Sequence, residues 1–200
     1  VILLIDNFDS FSHILADYFK RTGEPVMVVR NDVSLHSLTA LNFSALVLSP
    51  GPGRPEQAGN LMSILAYYHD KVPVLGVCLG HQAIGLLFGA RLQRSRQTMH
   101  GKLSQVRQLK QIPTLEGLPE RFQVTRYHSL ELTDLPKELE VVLETDQGEI
   151  MGIAHRDLPL IGLQFHPEAH LSQYGERMIL NWVNAYARYK QTNLIEEIEK

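Results

Sequence analysis

The feature that most limits what this 200-residue chain can fold into is a repeated alternation of short Val, Ile and Leu runs with segments whose apolar residues recur at helical spacing. A strand that reads as an unbroken apolar run is buried on both faces, and the intervening helices supply the cover. The pattern therefore predicts parallel strands between helical layers. Residues 1–6 read as the first strand, followed by a helix carrying Ile14, Leu15, Tyr18 and Phe19 that stops at Gly23. Strands follow at 26–30 and 45–49, the latter broken by Pro50-Gly51-Pro52-Gly53. A helix over 57–69 leads to a strand at 74–77, and Ala83, Ile84, Leu87 and Phe88 mark a further helix closed by Gly89. The second half changes character. Shorter, less regular strands are expected at 103–109, 122–127, 140–144, 150–155 and 160–165, a spacing that suggests hairpins and an antiparallel or mixed edge. Met178, Ile179, Trp182, Val183 and Tyr186 share one face of a closing helix over 173–189, and Glu196, Glu197 and Glu199 suggest a short tail helix or frayed end. No repeat or linker interrupts the pattern, so one domain over residues 1–200 is expected.

Composition narrows the function. With 19 basic against 22 acidic residues the net charge is -3, and no overall positive field exists to gather nucleic acid or an anionic membrane surface. No apolar run approaches the roughly 20 residues a membrane-crossing helix needs. Cys78 is the 1 cysteine, which rules out an internal disulfide and a cysteine-rich zinc site. That usage, with a first strand at Val1 and no basic leader ahead of it, predicts a cytoplasmic protein.

The same cysteine sits in the most informative motif. Gly76-Val77-Cys78-Leu79-Gly80 places a nucleophile between two glycines at a strand-to-helix junction. Such an elbow forces the nucleophile into strained backbone angles above the sheet, and a Cβ at either glycine would strike neighbouring backbone. The new helix also aims free amides at the site, which favours a thiolate there. An isolated cysteine is usually a small buried hydrophobe; the flanking glycines decide against that here. A thiol nucleophile needs a base and a group to orient the base, and His166-Pro167-Glu168 directly follows a strand. Proline keeps His166 extended, so His166 and Glu168, two apart, project to one side. Donors for an oxyanion are available in the Leu79 amide and in the Gly51-Pro52-Gly53 loop, at the end of a neighbouring parallel strand. His13, His36, His69, His155 and His170 lack metal-ligand spacing, so no metal site is expected, while His81, His100 and His128 have no role that spacing reveals.

Gly76-Val77-Cys78-Leu79-Gly80-His81-Gln82 together with His166-Pro167-Glu168 resembles the class I, triad-type glutamine amidotransferase family over essentially the whole chain. Segments 6–11, 49–53, 99–102 and 126–130 are similar to the glutaminase subunits of anthranilate synthase and aminodeoxychorismate synthase, without separating the two. The resemblance implies a flavodoxin-like α/β three-layer sandwich: a mostly parallel central sheet, helices on both faces, and the antiparallel or mixed edge in the second half. It implies Cys78 as nucleophile, His166 as general acid and base, Glu168 as the group orienting it, and the Gly51 and Leu79 amides as oxyanion donors. Gly53, Gln82 and the Ser129–Leu130 backbone would hold L-glutamine, and His100 and Gly101 would lie toward a chorismate-binding synthase subunit. No cofactor is implied for this chain. Ala169 departs from the serine common in the family, and nothing carries over at His170 or Ser172. Three other readings compete: the amidotransferase subunit of another synthetase such as the guanylate enzyme, a γ-glutamyl peptidase, and a catalytically silent regulatory module.

Overall fold

The computed structural model describes residues 1–188, so the tail expected around Glu196 and Glu199 lies outside the described residues. Strands are β1 (Ile2–Asp6), β2 (Val26–Arg30), β3 (Ala45–Leu48), β4 (Val74–Val77), β5 (Arg91–Arg94), β6 (Lys102–Gln108), β7 (Arg121–Arg126), β8 (Leu130–Thr133), β9 (Leu139–Thr145), β10 (Ile150–His155) and β11 (Leu160–Leu163). Helices are α1 (Phe11–Arg21), α2 (Leu35–Thr39), α3 (Leu61–Tyr68), α4 (Leu79–Leu87) and α5 (Gly175–Trp182), the last continued by a wider turn of helix over Val183–Ala187.

Nine strands form one sheet in the order β2-β1-β3-β4-β11-β10-β9-β6-β7. From β2 to β11 the pairings are parallel, and from β11 to β7 they are antiparallel. The first five strands have the doubly wound flavodoxin-like order, with its switch point between β1 and β3. The antiparallel part is as wide as the parallel part, more than an edge. β5 and β8, which sequence reading misses, pair with each other as a separate ribbon.

Period-two alternation divides the core between two helical layers. Ile2 and Leu4 pack with Leu15 and Phe19 of α1 and with Met178 and Trp182 of α5. Leu3 and Ile5 point the other way, into a cluster with Leu38, Leu61 and Ile84 from α2, α3 and α4. Phe19 and Trp182 meet edge-on, with ring centroids 5.8 Å apart, and join α1 to α5. The helix expected from residue 57 begins at Leu61, because Pro55–Gln57 makes a single 3-10 turn and Gly59 follows with a φ of +55°.

Helix α4 sits hard against the strands beneath it. A Cβ on Gly80 would stand 2.4 Å from the Leu48 carbonyl oxygen, and one on Gly76 would stand 2.4 Å from the Gly80 carbonyl. Backbone cannot retreat as a flexible side chain can, so both positions need glycine for space. Two histidines are buried nearby without charge compensation. His81 is fully buried with neither ring nitrogen hydrogen-bonded, and burial pushes its pKa down to about 3. Burial and then the neighbouring Arg126 charge lower that of His128 to about 4.

Two outcomes follow for stability. Gly80→Ala should cost about 2–3 kcal/mol in urea denaturation by overpacking. Gly89→Ala, where φ is +96° and no atom lies within 4 Å, should cost only about 1 kcal/mol. For pH, the two buried histidines bind protons in the unfolded chain before the folded one. Their contribution is complete above the unfolded pKa near 6.5 and is lost as pH falls toward 4, at about 1 kcal/mol per histidine over the first unit. His166, whose pKa is raised to about 10, acts oppositely: its contribution is present below 6.5 and is lost as pH rises through 10. Urea midpoints measured from pH 4.5 to 10 should peak near 6.5, and His81→Gln should flatten the acid limb alone.

Candidate active site

The site forms where the parallel strands β3, β4 and β11 end side by side. β4 delivers Cys78 to the first position before α4, with φ +51° and ψ −97°. A left-handed φ on a cysteine is strained, and the sheet holds it: the Cys78 amide donates to the Leu163 carbonyl of β11 at 2.8 Å, and its carbonyl accepts from the Gln82 amide at 3.1 Å. The thiol side chain is 5% exposed, just reachable from the sheet edge.

β11 delivers His166 and Glu168. Nδ1 of His166 lies 2.8 Å from Oε1 of Glu168, and both side chains are buried. The ring is walled by Phe11 and Tyr127, with centroids 4.9 and 5.1 Å away. Burial opposes charge on this ring, but the Cys78 sulfur and then the Glu168 carboxylate outweigh it and raise its pKa to about 10. Nε2 itself makes no hydrogen bond, so the sulfur is near without being in bonding geometry. Oε2 of Glu168 is also unpaired, and Ala169 brings no hydroxyl to it. Ser172 supports the backbone instead, donating from Oγ to the His166 carbonyl at 2.5 Å and accepting from the Thr125 amide at 2.9 Å.

Gly51 enters from the β3 loop. Asn7 anchors that loop: its amide donates to Ser49 Oγ at 2.9 Å and its Nδ2 to the Ser49 carbonyl at 2.8 Å, while Asn31 holds the Asn7 side chain at 3.0 Å. A Cβ on Gly51 would stand 2.6 Å from both Asn7 Cβ and Leu79 Cδ2, so the two loops touch. Among the described residues, neither the Gly51 amide nor the Leu79 amide has an acceptor.

The other residues singled out by sequence fall around this edge. Gly53, Ser129 and Leu130 line one pocket of about 640 Å³ together with Arg54, Arg94 and Arg96. Gln82 is buried and reaches the Leu130 carbonyl from Nε2 at 3.3 Å. His100 and Gly101 lie exposed on the outer side of Tyr127: the His100 ring is 5.7 Å from the Tyr127 ring, and a Cβ on Gly101 would meet it at 3.4 Å. Sequence reasoning missed Gln164, whose Nε2 points at the Cys78 sulfur from 3.8 Å. His166 and Glu168 meet across a turn, closed by the Ala169 amide on the His166 carbonyl at 3.2 Å, and not along the extended segment that the proline suggested; no strand alternation therefore pointed to Gln164. Phe11 and Tyr127 gave no signal either, because nothing local says which ring they will wall.

A nucleophilic thiol, a charged imidazole–carboxylate pair and two unsatisfied amides converging on one strand edge are the parts that acyl-transfer chemistry requires. Comparison with known proteins agrees with this composition. The family model for class-I glutamine amidotransferase matches residues 3–185. The chain is 43% identical to anthranilate synthase component 2 of Mycobacterium tuberculosis, over 99% of this chain and 88% of that one. It is 45% identical to aminodeoxychorismate synthase component 2 of Serratia marcescens (92% and 100%) and 39% identical to aminodeoxychorismate/anthranilate synthase component 2 of Bacillus subtilis (94% and 98%). A solved structure described as that of a GMP synthase subunit from Thermoplasma acidophilum superposes with a TM-score of 0.85 over 96% of each chain, at 26% identity. By its matched family model, its near full-length relatives and its fold, this chain belongs to the class I glutamine amidotransferases.

Proposed function

We propose that the chain is the glutaminase component of a two-protein, chorismate-converting synthase, releasing ammonia from L-glutamine for a separate synthase subunit that makes anthranilate, 4-amino-4-deoxychorismate or both. One observation carries the chemistry: Cys78 stands strained on its elbow beside the buried His166–Glu168 pair, and the Leu79 amide that follows it and the Gly51 amide of the loop touching Leu79 have no acceptor. The near full-length likeness to component 2 proteins supports the partner, as does the loop of His100 and Gly101 exposed beside Tyr127. The guanylate-type alternative rests on the likeness at 26% identity, against 39–45% for the component 2 proteins. The silent-module reading is disfavoured because all three candidate triad side chains are present and assembled. We read residues 1–200 as a single amidotransferase domain.

The reaction then runs on this chain's own groups. The proton that the Cys78 thiol gives up goes to Nε2 of His166, whose affinity for it is raised by the sulfur and the Glu168 carboxylate, so the attacking sulfur is an anion facing a protonated ring. The sulfur adds to the γ-carboxamide carbon, and the oxygen, now negative, takes the Gly51 and Leu79 amides. His166 gives its proton to the nitrogen as the carbon–nitrogen bond breaks, and ammonia leaves a γ-glutamyl thioester. Neutral His166 next takes a proton from water attacking that thioester; the sulfur departs as the anion, glutamate is released, and the resting pair is restored. Glu168 keeps Nδ1 protonated and Nε2 aimed throughout. Free ammonia is protonated in neutral water and loses its nucleophilicity, so a sheltered path to the partner's site preserves it. Gly53, Gln82 and the Ser129–Leu130 backbone are the groups assigned to the amino-acid end of glutamine.

Reconstitution with the synthase subunit tests this. Cys78→Ser should abolish glutamine-dependent product while ammonia-dependent product continues at the wild-type rate; equal loss of both in a folded complex would defeat the split-site reading. Glu168→Gln should slow glutaminase turnover by at least about tenfold, with the thioester still formed in single-turnover assays. An unchanged rate would leave Cys78 and His166 acting as a pair.

A further inference from the structure

We infer that Arg126 and His128 are positioning residues for glutamine: through the Leu130 carbonyl they set the Gln82 and Gln164 carboxamides that reach the Cys78 sulfur. The inference rests on the glutaminase reading and adds to it two residues whose place had no meaning in the sequence.

One line of hydrogen bonds runs from Arg126 to Cys78. Arg126 is 1% exposed, and its terminal nitrogens are taken: Nη1 and Nη2 hold the two Glu149 oxygens at 2.8 and 2.7 Å, and Nη1 also reaches Ser104 Oγ at 3.1 Å. That leaves Nε, which donates to Nε2 of His128 at 3.0 Å. A guanidinium only donates, so Nε2 of His128 must be the bare acceptor and the ring proton must sit on Nδ1. Nδ1 faces the Leu130 carbonyl at 2.8 Å and therefore donates to it. The same carbonyl accepts from Gln82 Nε2 at 3.3 Å. The second hydrogen of that nitrogen goes to Gln164 Oε1 at 3.2 Å, which turns the Gln164 Nε2 toward Cys78 Sγ, 3.8 Å away. A carbonyl accepts whatever its donor, so the Leu130 oxygen itself makes Gln82 present Nε2; what Arg126 and His128 fix is the place of that oxygen, and with it the place of the two buried carboxamides beside the nucleophile.

Arg126 and Glu149, at the far end of this line of bonds, also line a cavity of about 700 Å³. The charged and titratable groups around His128 are Arg126, Glu149, His166 and His81. Burial and then the Arg126 charge keep His128 neutral down to about pH 4, so the tautomer holds across the working range.

The probe is 6-diazo-5-oxo-L-norleucine, a glutamine analogue that alkylates an activated thiol with loss of dinitrogen, and labelling of the full chain is followed by intact mass. His128→Leu should raise the half-saturating probe concentration about tenfold or more while changing the maximal labelling rate less than about threefold. His128→Asn, which keeps a donor near the Nδ1 position, should stay within about threefold of wild type in both. Arg126→Lys retains a cation for Glu149 but removes the Nε donor, so its half-saturation should climb between pH 7 and 5.5, where wild type stays flat. A His128→Leu protein that saturates like wild type, or a His128→Asn protein impaired as badly as His128→Leu, would overturn the inference. If His128→Leu does not fold, a flat profile for Arg126→Lys would overturn it instead. Wild type that takes up no probe would defeat the glutaminase reading itself.

Discussion

The fold depends most on the contact between the first turn of α4 and the backbone of β3 and β4. Gly80 lies against the Leu48 carbonyl and Gly76 against the Gly80 carbonyl, with no room for a methyl group at either place. This approach holds Cys78 in its left-handed φ, because the chain must reverse from strand to helix within one residue while the helix stays pressed on the sheet. It also brings the Leu79 side chain against Gly51, so the two residues whose amides have no acceptor meet although they come from different parts of the chain. A looser seat for α4 would relax the cysteine and part the amides together.

Around that contact, polar groups are buried at a density that a core built for stability alone would avoid. Some are fully paired, as in the Asn7–Ser49–Asn31 cluster that ties the ends of β1, β2 and β3. Others are left unpaired: Nε2 of His166, Oε2 of Glu168 and both nitrogens of His81. Unpaired buried polar atoms cost about 1–3 kcal/mol each, and others are spread over Thr114, Thr125, Thr133 and Trp182. The two apolar clusters on either face of the sheet supply the burial against which this cost is set.

Charge follows the same division. His166 is held cationic by a sulfur and a carboxylate, whereas His81 and His128 are held neutral by burial, all in one small region. Opposite protonation states so close together require that each ring see a different set of neighbours. The Arg126–Glu149 pair, neutral as a unit and multiply bonded, lets a guanidinium sit in the interior and orient His128.

What the sequence determined by itself was whatever depends on near neighbours in the chain. β2, β4 and β10 fall where the reading put them, and β1 within a residue, because apolar runs and period-two alternation are local signals of burial on a sheet. The cysteine elbow was legible for the same reason, and so was the nearness of His166 to Glu168, although a turn over Pro167 and Glu168 brings the two together where the sequence suggested an extended segment. Only the tertiary structure decided the rest. β5 and β8 are short and mixed in polarity, and they exist because they pair with each other, Arg91 with Thr133 and Arg94 with Leu130. α2 is five residues long, too short for a periodic signal. The rings that wall His166, the touching of Gly51 and Leu79, and the line of bonds from Arg126 to Cys78 join residues remote in the chain, as in the Gln82–Gln164 bond across 82 positions. A hydrogen bond's direction depends on which donor is already taken elsewhere, and that is fixed only when every partner has been packed into place.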